Sequence, residues 1–132
     1  MAIYFGEIYL YSLNPSKLFS FLSFLLDIEA KEISDDFISF NFQNMLFKII
    51  RSDKKRIDKT KYFTLCVTNL NELIEIKQNI EFYHYKEGDS KFQLVQSEDS
   101  LEFSDPDGRK WEVNYQIDKY IKPEKADINL TL

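Results

Sequence analysis

The hydrophobic and polar positions of the chain change period several times, and the changes divide it into elements. Ile3 to Ser12 opens on the strand-forming Ile, Tyr and Phe, and from Gly6 onward Glu7, Tyr9 and Tyr11 alternate with Ile8 and Leu10, which predicts a strand. Asn14-Pro15-Ser16 then supplies a capping side chain and a proline suited to a first helical turn. Leu18, Phe19, Phe21, Leu22, Leu25 and Leu26 follow at helical spacing, so a helix is predicted to run to about Asp27. Three short strands are predicted over Glu29 to Ser34, Phe37 to Phe42 and Leu46 to Arg51, parted by the turn residues Ser34-Asp35-Asp36 and Gln43-Asn44.

Ser52 to Lys61, reading SDKKRIDKTK, breaks every period and predicts a solvated linker. The same order then restarts. A strand over Tyr62 to Thr68 and a helix from Asn69 to about Asn79 lead to strand candidates at Phe82 to Lys86, Phe92 to Gln96, Leu101 to Ser104 and Trp111 to Tyr115. The predicted fold class is α+β, two tandem copies of a strand, a helix and then three or more strands, the βαβββ order. Module one covers about residues 3–52 and module two about 61–115, with a tail over 116–132 that is either frayed or docked as an edge strand. A small sheet has an apolar face to hide and edges to protect, so the two modules are expected to pack together as one domain.

Composition narrows the classes of function. The 132 residues are 44% hydrophobic and 30% charged, enough for one ordinary core. No apolar run approaches the roughly 18 residues of a membrane span, and Met1 to Ser12 lacks a signal-peptide pattern, so a cytoplasmic protein is expected. Cys66 is the single cysteine, which excludes an internal disulfide and any CxxC metal knuckle. The formal charge of −5 disfavours nucleic acid as a partner.

Strand parity sorts the side chains. Ile8, Leu10, Phe47, Ile49, Phe63, Leu65, Val67, Trp111 and Val113 form a set suited to packing under the helices. Glu7, Tyr9, Tyr11, Lys48, Ile50, Tyr62, Thr64, Cys66, Glu112 and Asn114 form the opposite set. Flat rings with hydroxyl tips suit either a small organic ligand or a packed interface.

The segment Phe103-Ser-Asp-Pro-Asp-Gly-Arg-Lys-Trp-Glu-Val113, at the end of a duplicated unit, resembles the last hairpin of the vicinal oxygen chelate superfamily. That superfamily holds glyoxalase I, the bleomycin-resistance proteins, the fosfomycin-resistance enzymes and the extradiol dioxygenases. Its opening strand, turn and helix resemble Glu7 to Ile28, with Asp27 standing where a glycine is usual, and Val67-Thr68-Asn69-Leu70 repeats the turn in module two. The resemblance implies the glyoxalase/bleomycin-resistance fold, two tandem βαβββ modules forming a curved mixed sheet around a cleft, together with a homodimer and four inward positions that hold a divalent metal in the metal-using members.

Carried over, those positions fall on Glu7, Lys48, Tyr62 and Glu112. A protonated lysine offers no lone pair, and a phenol ionises only near pH 10, so Glu7 and Glu112 alone are ligands of the usual kind. No metal or other cofactor is expected, and Glu7, Lys48 and Glu112 either form an ionic cluster in its place or stand as three solvent-facing charges on separate strands. His84 is expected on a strand away from the site. The expected function is metal-free binding or sequestration of a small molecule, cationic or amphipathic, by Glu7, Tyr9, Tyr11, Lys48, Tyr62, Thr64, Glu112 and Asn114. The alternatives are a metal-dependent lyase, isomerase or transferase using Glu7 and Glu112, and an interaction module whose tyrosine face a partner covers.

Overall fold

A computed structural model describes residues 2–3, 6–57, 62–89 and 92–116. Each module opens with a strand and a capped helix. In module one β1 (Glu7–Ser12) leads to α1 (Pro15–Leu25), where the Asn14 side chain accepts from the Lys17 N–H at 3.2 Å and Pro15 takes the first turn. In module two β5 (Tyr62–Val67) leads to α2 (Leu70–Lys86), where the Asn69 side chain accepts from the Asn71 N–H at 2.7 Å. Asparagine therefore starts both helices by the same device.

Three strands complete each module: β2 (Ala30–Ile33), β3 (Phe37–Phe42) and β4 (Met45–Arg51), then β6 (Val95–Gln96), β7 (Ser100–Ser104) and β8 (Lys110–Tyr115). The sheets are ordered β1-β4-β3-β2 and β5-β8-β7-β6. In each, the first strand lies parallel to the last while the other neighbours run antiparallel. Gln43 and Asn44 both take positive φ, 50° and 63°, and close the β3–β4 hairpin with Phe42 opposite Met45. Positive φ at both central residues is what a two-residue hairpin turn demands. The two modules are thus copies in wiring, and together they form the α+β fold of two four-stranded mixed sheets and two helices.

Two expectations are corrected. Phe82 to Lys86 is not a strand but the end of α2, which continues past Asn79 because Ile80, Tyr83 and His84 carry its buried stripe onward at helical spacing. Tyr83 meets Phe21 and Phe24 edge-on, with ring centroids 5.3 and 5.4 Å away, and that tertiary burial overrides the strand preference of an aromatic-rich segment. The expected Phe92 to Gln96 strand is confined to the two residues of β6. In the linker Ile57 is buried rather than solvated, and residues 58–61 and 117–132, most of the tail included, lie outside the described residues.

One apolar cluster draws on both modules. Leu18, Phe21, Leu22 and Leu25 of α1 meet Leu73, Ile80 and Tyr83 of α2, while Phe40 stacks on Phe47 beneath one helix and Phe63 on Trp111 in the other sheet. The modules are also pinned by the Asp105-Pro106-Asp107-Gly108-Arg109 turn between β7 and β8. Asp105 Oδ1 accepts from the N–H groups of Asp107 and Arg109, and Asp105 Oδ2 accepts from Trp111 Nε1 at 3.0 Å and faces Arg109 Nε at 3.5 Å. Across the joint, Arg109 Nη2 donates to the Tyr11 carbonyl at 2.5 Å and Asp107 Oδ1 accepts from the Leu13 N–H at 3.1 Å. Burial pushes the Asp105 carboxyl up, while the Arg109 guanidinium and the Trp111 and backbone donors pull it down.

Removing Asp105 would leave the buried Arg109 guanidinium with Asp107 as its one remaining carboxylate among the described residues, 3.4 Å from Nη2, and breaking a buried, hydrogen-bonded ion pair costs up to about 3–5 kcal/mol. Asp105→Ala is expected to lower the unfolding free energy by that amount in urea titrations, with Asp105→Asn costing less because its one amide oxygen still accepts on one side, either from Trp111 Nε1 or from the Asp107 and Arg109 N–H groups. A loss below about 1 kcal/mol for the alanine variant would show that the turn does not hold the modules.

Candidate polar cleft faces

Register assigns every strand residue to a face. Ile8 lies beside Phe47 and Leu10 beside Ile49, while Phe63 lies beside Trp111 and Leu65 beside Val113; these are the helix-facing pairs expected from parity. The opposite faces carry the candidate site. On the first sheet the central row reads Tyr9, Lys48, Ser39 across β1, β4 and β3. On the second the corresponding row reads Thr64, Glu112, Glu102 across β5, β8 and β7. Lys48 and Glu112 therefore hold equivalent places in the two modules.

The first face is aromatic and carries cations. The Tyr9 hydroxyl donates to Glu7 Oε2 at 2.6 Å, and that bond to a carboxylate raises the phenol's pKa. Lys48 Nζ lies 4.2 Å from the centre of the Phe37 ring, and the Arg56 guanidinium lies 5.6 Å from that of Tyr11. The second face is acidic. Glu102 and Glu112 stand directly opposite one another, Asn114 Nδ2 donates to Glu112 Oε1 at 2.9 Å, and Lys110 Nζ reaches only to 3.9 Å from Glu102. Desolvation and the charges of Glu112 and Glu102 raise the Tyr62 phenol. Cys66 on this face donates to Gln116 Oε1 at 3.4 Å.

Within the chain the eight candidate residues form two groups. Glu7, Tyr9, Tyr11 and Lys48 share the first sheet, while Tyr62, Thr64, Glu112 and Asn114 share the second. No described strand of one sheet pairs with a strand of the other, and β1 and β5 are outer strands, as are β2 and β6 at the opposite edges. Of the two arrangements open to Glu7, Lys48 and Glu112, the ionic cluster is absent among the described residues, since Lys48 makes no ion pair there and rests on Phe37 instead. Glu102 and Ser39 are the residues that sequence reasoning missed. The hairpin turns contained the signal for both: counting back from Gln43-Asn44 sets Ser39 against Lys48, and counting across the DPDG turn sets Glu102 against Glu112.

No protein-family profile matches the sequence, and no curated protein is detectably similar to it. Solved structures do match in fold. The chain is similar to the genomically encoded fosfomycin resistance protein FosX of Listeria monocytogenes, at 16% identity and TM-score 0.70, over 92% of this chain and 98% of that one. It is also similar to an integron cassette protein from the Halifax Harbour sewage outfall mobile metagenome, at 16% identity and TM-score 0.62, over 87% of this chain and 100% of that one. The oxidase ChaP-H2 matches at 14% identity and TM-score 0.63, over 88% and 95%. These neighbours share the vicinal oxygen chelate fold, and so does this chain.

FosX has been crystallised with Mn(II) together with a dihydroxypropylphosphonic acid. Glu7 and Glu112, the two carboxylates at the positions carried over, lie on different sheets of this chain. No group of three or more His, Cys, Asp or Glu side chains able to hold a metal occurs among the described residues, and the place equivalent to Glu112 is held by the Lys48 ammonium. No helix of the described residues is long and apolar enough to cross a membrane.

His84 lies off both polar faces, near the end of α2. Its ring stacks on Phe92 at 4.0 Å, and its Nδ1 lies 3.2 Å from an Asp89 carboxylate oxygen. Burial lowers its pKa from 6.5 and outweighs the opposing pull of Asp89. As the pH falls through about 6.5 the unfolded chain therefore takes up the proton first, and the stability held by neutral His84 is lost on approach to its lower folded pKa. Urea titrations from pH 7.5 downward are expected to show stability declining below about 6.5 in the native chain and declining less in His84→Gln. Parallel curves would remove His84 as the source.

Proposed function

We propose that this chain, built on the vicinal oxygen chelate fold, is a cytoplasmic, metal-independent small-molecule binding protein that takes a cationic or amphipathic organic ligand. Glu7, Tyr9, Tyr11 and Lys48 of the first sheet and Tyr62, Thr64, Glu112 and Asn114 of the second are the ligand-contacting side chains in this reading. The observation that carries it is the opposition of Glu102 and Glu112 beside the Tyr62 phenol. Like charges placed opposite each other across a ladder destabilise a sheet by tenths of a kcal/mol to about 1 kcal/mol. A bound cation relieves that repulsion, and a tyrosine ring beside it adds a cation–π contact. A phosphonate such as the one bound by FosX would meet the same two carboxylates as a repulsive wall.

The proposal includes a homodimer. Outer strands with unpaired backbone groups invite pairing, and a two-fold dimer is the commonest closed assembly. Pairing β1 of one copy with β5 of the other would bring the two kinds of polar face into one cleft. The second reading, a metal-dependent lyase, isomerase or transferase using Glu7 and Glu112, draws its support from the Mn(II) bound to FosX.

Thermal-shift assays with cationic aromatic compounds separate the two. A concentration-dependent rise in Tm that survives a chelator and disappears in Glu112→Gln is expected. A shift or turnover that requires a stoichiometric divalent ion would favour the enzyme. Light scattering is expected to give twice the 15.8 kDa mass of the chain.

A further inference from the structure

We infer that the ligand is a zwitterion carrying an aromatic or similarly flat apolar group, with its cation held by the second sheet and its anion by the first. This inference rests on the cleft reading above and goes beyond it by naming what the Lys48 side is for. Its basis is the divergence of two equivalent rows. Where module two has Glu112 opposite Glu102, module one has Lys48 opposite Ser39. Duplication supplied the same two backbone positions, and they now carry opposite charge.

Neither the Lys48 ammonium nor the Ser39 hydroxyl has an ion pair or hydrogen bond among the described residues. The Lys48 ammonium has no ion pair among the described residues and rests against the face of Phe37. A cation over a phenylalanine ring at an exposed site is held more weakly than one hydrogen-bonded to a charged acceptor, so a carboxylate would draw the ammonium off the ring. Ser39 is 3% exposed, and its Oγ has no hydrogen-bond partner among the described residues. A buried hydroxyl without a partner costs stability unless something bonds it. Movement of Lys48 toward a carboxylate would offer that anion the Ser39 O–H as a second donor, with Tyr9 on the other side of Lys48 in the same row and Tyr11 next along β1 for the flat group.

The first face is therefore an anion and ring subsite, and the second a cation subsite. A ligand with only one charge uses half of the cleft. One with both, spaced by a short linker, uses all of it.

Isothermal titration of the full-length chain with three matched probes tests this: phenethylamine, 3-phenylpropanoate and phenylalanine. Phenylalanine is expected to bind about tenfold or more tightly than either single-charge probe. Lys48→Met is expected to reduce its affinity to about that of phenethylamine and to weaken phenylpropanoate likewise, with a much smaller effect on phenethylamine, and Ser39→Ala to weaken phenylalanine and phenylpropanoate more than phenethylamine. Glu112→Gln is expected to weaken phenylalanine and phenethylamine but not phenylpropanoate. Phenethylamine binding as tightly as phenylalanine, with no effect of Lys48→Met, would overturn the zwitterion and leave the cationic cleft standing. Failure of all three probes to bind would remove both readings.

Discussion

Arg109 is the constraint on which the arrangement of the two modules depends. Its guanidinium is buried in the DPDG turn of module two, yet one of its donors ends on the Tyr11 carbonyl of module one. A buried guanidinium tolerates little freedom, because each donor that loses its acceptor leaves desolvated charge behind. Asp105 faces Arg109 Nε from within the turn, Asp107 accepts from Nη2 and adds a second link by accepting from Leu13, and Nη1 is left without a partner among the described residues. The exit of β1, the start of α1 and the β7–β8 hairpin are thereby held in one geometry. Apolar packing between α1 and α2 supplies area, but area is non-directional. The hydrogen-bonded turn supplies the orientation.

With that orientation set, both helices lie in the shared core and each sheet keeps a polar face of its own. Duplication explains why the two faces have the same layout: parallel β1–β4 and β5–β8 pairs, with the last strand at the centre of each row. It does not explain their chemistry, which has diverged. One face carries ammonium and guanidinium groups resting on aromatic rings, and the other two opposed carboxylates beside a phenol. The vicinal oxygen chelate fold accommodates this because a strand's outward side chains contribute little to the core, so they can change without loss of the scaffold.

Much of this was legible in the residues before any coordinates. Alternation in β1, β4, β5 and β8 sorted Ile8, Leu10, Phe47, Ile49 and Trp111 from Glu7, Tyr9, Lys48 and Glu112, and the register agrees, because a period of two leaves only one way to hide the apolar set. The two asparagine caps and the DPDG turn were equally plain, since each is a local hydrogen-bonding device. The candidate site was legible as positions and much less so as contacts. Lys48 stood where expected, but its ammonium prefers the Phe37 ring, a neighbour contributed by another strand. Glu102 and Ser39 went unnoticed because their importance comes from what lies opposite them across a hairpin.

The sequence by itself determined the duplicated βαβββ order, the face of each strand residue and the caps that start the helices, all of which depend on interactions within a few residues. Only the tertiary structure decided how far α2 extends, what Arg109 bonds to and which charges face one another. Those outcomes turn on contacts between distant segments: Tyr83 against Phe21 and Phe24, Arg109 against Tyr11, and Glu102 against Glu112. Local periodicity encodes which side a residue faces. The partner waiting on that side is set by how the rest of the chain packs.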